Sequence, residues 1–233
     1  MSSVDALRAE VALGCRILGL EGHGDLVWGH VSARDPEGRG FWMKAATFGF
    51  DEIDAEQVIL VSWDGEVLAG DGKRHSEYPI HAELMRARGD VGSVVHTHAP
   101  WTVAFASTGQ PLRPVSHEGT LFVPPDVARF TKTGDLILTP GLGRDLAATV
   151  GDRNVALMVH HGLVACGPDV VTAVIHAVFL ERACRTNIRA LAGGGPKTWS
   201  SDEEALAKRE HVYSPRMAWD YLARCVDRER RLI

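Results

Sequence analysis

No Cys-x-x-Cys pair occurs in this sequence, and its four cysteines, Cys15, Cys166, Cys184 and Cys225, are scattered. That spacing excludes a disulfide or zinc-thiolate framework and predicts free thiols in a cytoplasmic protein. No apolar run reaches the ~18 residues that a membrane span needs. The opening residues, MSSVDALRAEV, have no basic stretch followed by an apolar one, so no signal peptide is expected. Positive charge is not in excess: 25 lysines and arginines stand against 30 aspartates and glutamates, a formal net charge of −5. That balance excludes nucleic acid and an anionic membrane as main partners. Repeats, low-complexity tracts and linkers are also missing. One domain over residues 1–233 is therefore expected, with a charged, helical C-terminal segment from about residue 197.

What is present suffices for a full core, at 45% hydrophobic residues. Leu7, Val11, Cys15 and Leu18 recur at helical spacing over residues 4–20. Leu26 to Arg34 and Phe41 to Lys44 read as a hairpin, and Val58 to Trp63 with Glu66 to Ala69 as a second, joined by Asp64-Gly65. Ser76-Glu77-Tyr78-Pro79 opens a helix that Ser76 is expected to cap, with Ile80, Leu84 and Ala87 as its apolar stripe. Pro114 to His117, Leu121 to Val123, Asp135 to Leu138 and Val155 to Val159 read as strands. Thr102 to Ser107 and Gly143 to Val150 read as helices. The longest helix follows Pro168 and ends before Gly193-Gly194-Gly195-Pro196. Tyr213, Trp219 and Tyr221 are the expected anchors of the C-terminal segment.

Val94-Val95-His96-Thr97-His98 carries the chemistry. Period two puts His96 and His98 on one strand face, about 6–7 Å apart, which suits a single metal ion. A second cluster, His160-His161-Gly162, ends another apolar run, and Glu77 stands at a helix entrance upstream. Three histidines and a carboxylate that converge from element ends point to a metal site. Arg34, Lys44, Lys73 and Arg74 could bind a substrate carboxylate but read mainly as solvated cations, and Ser32 and Arg34 as hairpin holders.

Taken together, Glu77, His96-Thr97-His98-Ala99-Pro100 and His160-His161-Gly162-Leu163 resemble the pattern of the class II aldolase/adducin family. Gly29-His30-Val31-Ser32-Ala33-Arg34 and Phe50-Asp51-Glu52-Ile53 fit it too. The resemblance implies a three-layer α/β/α fold with a central, mainly antiparallel sheet. It implies tetramers or larger homo-oligomers with active sites between subunits, and one divalent metal per subunit, Zn2+ or Mn2+. Residue by residue, it assigns the metal to His96, His98 and His161 and makes Glu77 the acid/base, or a fourth ligand when no substrate is bound. A strand continuing from Val155 through His160 and His161 would point the two rings to opposite faces, which leaves His160 turned away. Histidine and carboxylate donors suit both ions.

The departures from the pattern concern the substrate. Sugar-phosphate aldolases of this family hold phosphate with small amides and hydroxyls. At the matching places this chain has Gly29-His30 and His75-Ser76, and His117 where a proton-donating tyrosine is expected. Gly29, His30, His75 and Ser76 are thus the expected substrate-binding residues, and Glu77 and His117 the expected catalytic pair. Imidazoles suit a small acidic substrate. The favoured function is a metal-dependent lyase that decarboxylates a hydroxy-aromatic or heteroaromatic acid. An aldolase acting on a sugar phosphate or short hydroxy-keto acid is the alternative, and a non-catalytic adducin-type module is the second. Aldol cleavage and this decarboxylation both leave an electron pair that a Lewis acid beside the neighbouring oxygen stabilises.

Overall fold

The computed structural model describes residues 3–212 and 214–230. Helix α1 (Ser3–Leu18) runs into a wider turn at Gly19–His23. Strands β1 (His30–Arg34), β2 (Gly40–Lys44), β3 (Val58–Ser62) and β4 (Val67–Ala69) follow. Helix α2 (Tyr78–Ala87) leads into β5 (Ser93–Thr97), α3 (Pro100–Thr108), the single turn α4 (His117–Thr120) and β6 (Ala128–Phe130). Helix α5 (Pro140–Val150), β7 (Val155–Met158), β8 (Gly162–Gly167) and α6 (Val170–Ala192) come next. The last two elements are α7 (Asp202–Val212) and α8 (Pro215–Arg230).

The eight strands form one sheet in the order β4-β3-β2-β1-β5-β8-β7-β6. Every pairing is antiparallel except β6 with β7. Side chains alternate across the sheet, so each strand feeds two cores. Val31, Val95, Leu157 and Leu163 pack with α1, α3, α6 and α8 on one face. Met43, Val94, Ala156 and Val164 pack with α2 and α5 on the other. The result is the α/β/α layering expected from the family resemblance, with β5 near the middle of the sheet.

Both early hairpins form, with Phe41 opposite Arg34 in the first and Val67 opposite Val61 in the second. Several expected elements do not. Pro114 to Ser116 is irregular, His117 heads the turn α4, and Leu121 to Val123 is the bend that follows it. Asp135 to Leu138 lies outside any strand. The apolar run that begins at Val155 turns back on itself: β7 stops at Met158 and β8 starts at Gly162. Ser76 does not cap α2; Glu77 occupies that position without a side-chain cap bond, and Ala87 is exposed. Arg34 is no free surface cation, since it donates to the carbonyls of Met85, Arg88 and Val91 at the end of α2. Trp219 is buried as expected, whereas Tyr221 is exposed. Tyr213 lies outside the described residues.

Candidate metal centre

Four elements meet where β5 ends. His96 lies on the α2 face of β5, opposite His30 of β1 and Val164 of β8. His98 follows on the same face just past the strand, while Thr97 points the other way and hydrogen-bonds His23 (2.9 Å). His160 and His161 sit in the turn between β7 and β8, not on a strand. His160 takes a left-handed conformation (φ 64°) and is exposed, which leaves His161 to face inward. The two rings point apart as expected, but a tight turn produces this rather than strand alternation. Gly162 makes the approach possible: a Cβ there would stand 2.3 Å from the Thr97 carbonyl oxygen.

Glu77, at the head of α2, completes the group. Potential ligand atoms of Glu77, His96, His98 and His161 all lie within 4.8 Å of one another. The two strand histidines are oriented from behind. His96 Nδ1 donates to the Leu163 carbonyl (2.8 Å), and His98 Nδ1 to Asp25 Oδ2 (2.8 Å). Those partners put the ring protons on Nδ1 and leave two Nε2 lone pairs facing each other at 3.2 Å. Both nitrogens of His161 are buried without a hydrogen-bond partner. Opposed lone pairs and an orphaned imidazole are unfavourable alone and are resolved by one cation among them. The residues therefore fit a divalent ion.

Burial pushes the His96 ring down to about 3, so it stays neutral and available as a ligand. Burial would push the Glu77 carboxyl up. The facing His161 and His96 rings and the Ile137 amide outweigh it and bring the carboxyl down to about 2. Glu77 Oε1 accepts from that amide at 2.7 Å and lies 3.5 Å from His161 Nε2; Oε2 lies 3.7 Å from His96 Nε2.

Beside this cluster is a cavity of about 290 Å³, lined by Gly29, His30, His75, Ser76, Glu77 and His98, with Trp28 and Leu136 at its apolar edge. The structure thus brings all of the expected substrate-binding residues to the metal cluster. Gly29 needs its missing side chain: φ is 78°, and a Cβ would stand 3.0 Å from the Phe50 ring. His117 is elsewhere. It heads α4 and lines a separate cavity with Glu118, Phe179 and Lys208. Within one chain it is not brought to the cluster.

Three participants escaped the sequence reading. Asp25 orients His98 across a separation of 73 residues, and no sequence signal marks it. His81 is wholly buried and bonds both His30 Nδ1 and Ser32 Oγ at 2.6 Å. Its place one helical turn after Glu77 was a usable signal. Lys44 is not a solvated cation but fully buried, with Nζ 3.3 Å from His75 Nε2. A lone lysine inside the apolar strand Phe41-Trp42-Met43-Lys44 was the clue.

The family profile described as Class II Aldolase and Adducin N-terminal domain matches residues 9–188. A 3,4-dihydroxyphthalate decarboxylase from Arthrobacter keyseri is 30% identical over 203 residues, covering 81% of this chain and 80% of that protein. A 5-deoxy-D-ribulose 1-phosphate aldolase from Bacillus thuringiensis serovar kurstaki is 32% identical over 165 residues, 70% of this chain and 75% of that protein. Among solved structures, an aldolase II superfamily protein from Pseudomonas syringae superposes with a TM-score of 0.87 at 26% identity, covering 98% of this chain and 95% of that one.

Proposed function

Because the chain belongs to the class II aldolase and adducin family, we propose that it is a divalent-metal-dependent carbon–carbon lyase that releases CO2 from a small hydroxy-aromatic or heteroaromatic acid. The observation that carries this reading is the cavity wall. Where a phosphate site would need small donors, imidazoles of His30 and His75 stand 4.4 Å apart, centroid to centroid. The relative from Arthrobacter keyseri, named for decarboxylation of an aromatic acid, supports it.

A divalent ion, zinc or manganese, held by His96, His98 and His161 would supply Lewis acidity toward the substrate oxygen. Glu77 does the proton work. Its depressed carboxyl starts ionised and takes the proton of the substrate hydroxyl. It returns that proton to the ring carbon bearing the carboxylate. The keto form then loses CO2, and the electron pair of the broken bond flows back into the ring. His30 and His75 stay neutral, because burial lowers both, and so orient the acid by hydrogen bonding rather than by charge. Within one chain His117 has no part in this. As a proton donor it would serve a neighbouring subunit's cavity, in a homo-oligomer of four or more chains.

The aldolase reading draws on the Bacillus relative, named for a sugar phosphate. An adducin-type assembly module would have no use for the four converging ligands. The test is a panel of hydroxy-aromatic acids and a panel of sugar phosphates, offered to the metal-loaded protein. Metal-dependent CO2 release from an ortho-hydroxy acid is expected. Cleavage of a sugar phosphate into two carbonyl products, with no CO2 from any acid, would install the aldolase reading instead.

A further inference from the structure

Three buried side chains form a chain of short hydrogen bonds beside the cavity. Ser32 Oγ lies 2.6 Å from His81 Nδ1, and His81 Nε2 lies 2.6 Å from His30 Nδ1. Strand β1 supplies Ser32 and His30, and α2 supplies His81 between them. Ser32 and His81 are 0% exposed and His30 is 2% exposed, so water does not compete for these links. Burial holds both rings neutral, and each therefore carries a single proton. Two arrangements satisfy both links. In the first, the Ser32 hydroxyl donates to His81 Nδ1, His81 Nε2–H donates to His30 Nδ1, and His30 keeps its proton on Nε2. In the second, His30 Nδ1–H donates to His81 Nε2, His81 Nδ1–H donates to Ser32 Oγ, and His30 Nε2 is bare. The net charge is the same in both.

The serine hydrogen separates them. Among the described residues, His81 Nδ1 is the one hydrogen-bond partner of Ser32 Oγ. In the second arrangement the hydroxyl hydrogen is buried with no acceptor, a penalty that favours the first by about tenfold or more. We propose that Ser32 and His81 are positioning residues that lock His30 as its Nε2–H tautomer. His30 then lines the cavity as a neutral donor of fixed polarity. Polarity matters at this place. The His30 ring stands 5.0 Å from His96, whose Nε2 lone pair already faces that of His98. Another bare nitrogen there would repel a substrate oxygen, whereas an N–H holds it. The use of the lock rests on the reading of the cavity as a site for an acid; the lock itself does not.

Nitrogen-15 NMR of the histidine-labelled, Zn2+-loaded protein tests it, because protonated and bare ring nitrogens resonate far apart. His30→Asn identifies the His30 signals. In the wild type the proton is expected on His30 Nε2 by about ten to one or more. Ser32→Ala removes the hydroxyl and should bring His30 toward an even mixture of tautomers. Ser32→Thr keeps the hydroxyl and should restore the lock, which a merely space-filling role for Ser32 would not do. Salicylate added to the Ser32→Ala protein should draw the mixture back to Nε2–H, since it binds the donor form. A wild type with the proton on Nδ1 would overturn the proposal with no variant made. An unmoved tautomer in Ser32→Ala would overturn it as well, and so would bound salicylate that leaves the mixture unchanged. The ligand-free spectra decide the lock by themselves. Salicylate that binds neither protein would therefore sink the acid reading, with the lock left standing.

Discussion

Two groups of histidines meet around His30 of β1 and His96 of β5, and they are finished differently. In the first, His96, His98 and His161, nitrogen lone pairs crowd together and the His161 ring has no partner. In the second, His30, His81 and His75, nitrogens are engaged by protein: Ser32 to His81, His81 to His30, Lys44 to His75. Both groups are mostly buried, and burial keeps His30, His75, His81 and His96 neutral. The contrast separates a donor set that is incomplete by itself from a wall that is complete. Only the first asks for an ion; the second shapes what may lie beside it.

The sharpest way to break that contrast is to remove a donor. His96→Ala should lose bound metal and activity together, read by elemental analysis of the purified protein and by CO2 release. Retained stoichiometric metal would mean that the ion sits elsewhere. Next in size, Glu77→Gln should keep the metal while turnover falls on the order of 10²–10⁴-fold, as for loss of a general acid–base. Loss of metal in that variant would make Glu77 chiefly a ligand. Asp25→Asn acts through His98 and should weaken metal affinity by about 10–100-fold, measured by competition with a chelator. Unaltered affinity would reduce Asp25 to a surface partner.

The last effect is on stability rather than on metal or turnover, and it concerns acid. Burial lowers His23, His75 and His81 from 6.5 to about 3 in the folded chain, with Lys44 also lowering His75. The unfolded chain takes up these protons near pH 6.5, and the fold resists them until about 3. Their contribution is complete above pH 6.5 and is lost as pH falls toward 3, by about 1.4 kcal/mol per pH unit for each ring. Urea unfolding of the metal-free protein between pH 7 and 5 should show stability falling with pH. A flat profile would mean that the wall accepts protons without cost.

How much of this the sequence revealed depends on the range of the contact. His96 and His98 were legible because strand alternation is local and β5 is a central strand. Glu77 was legible because proline and a short apolar stripe mark the head of α2. The β7–β8 turn was missed because both strands are apolar and no Gly-Pro punctuation precedes His160. Lys44 was misread because its hydrogen-bond partners are two backbone carbonyls and an imidazole, which no charge pattern announces. Asp25 was invisible for a plainer reason: it meets His98 only in three dimensions.

Gly162 gives the site an unusual kind of fragility. The residue offers no ligand and no hydrogen to the cluster, yet the space left by its absent side chain sets how closely β8 lies on β5. A mutational search that protected only the histidines and the glutamate would treat this position as free. Any side chain there would wedge two neighbouring strands apart and carry His161 out of reach, leaving every functional group present and the centre lost.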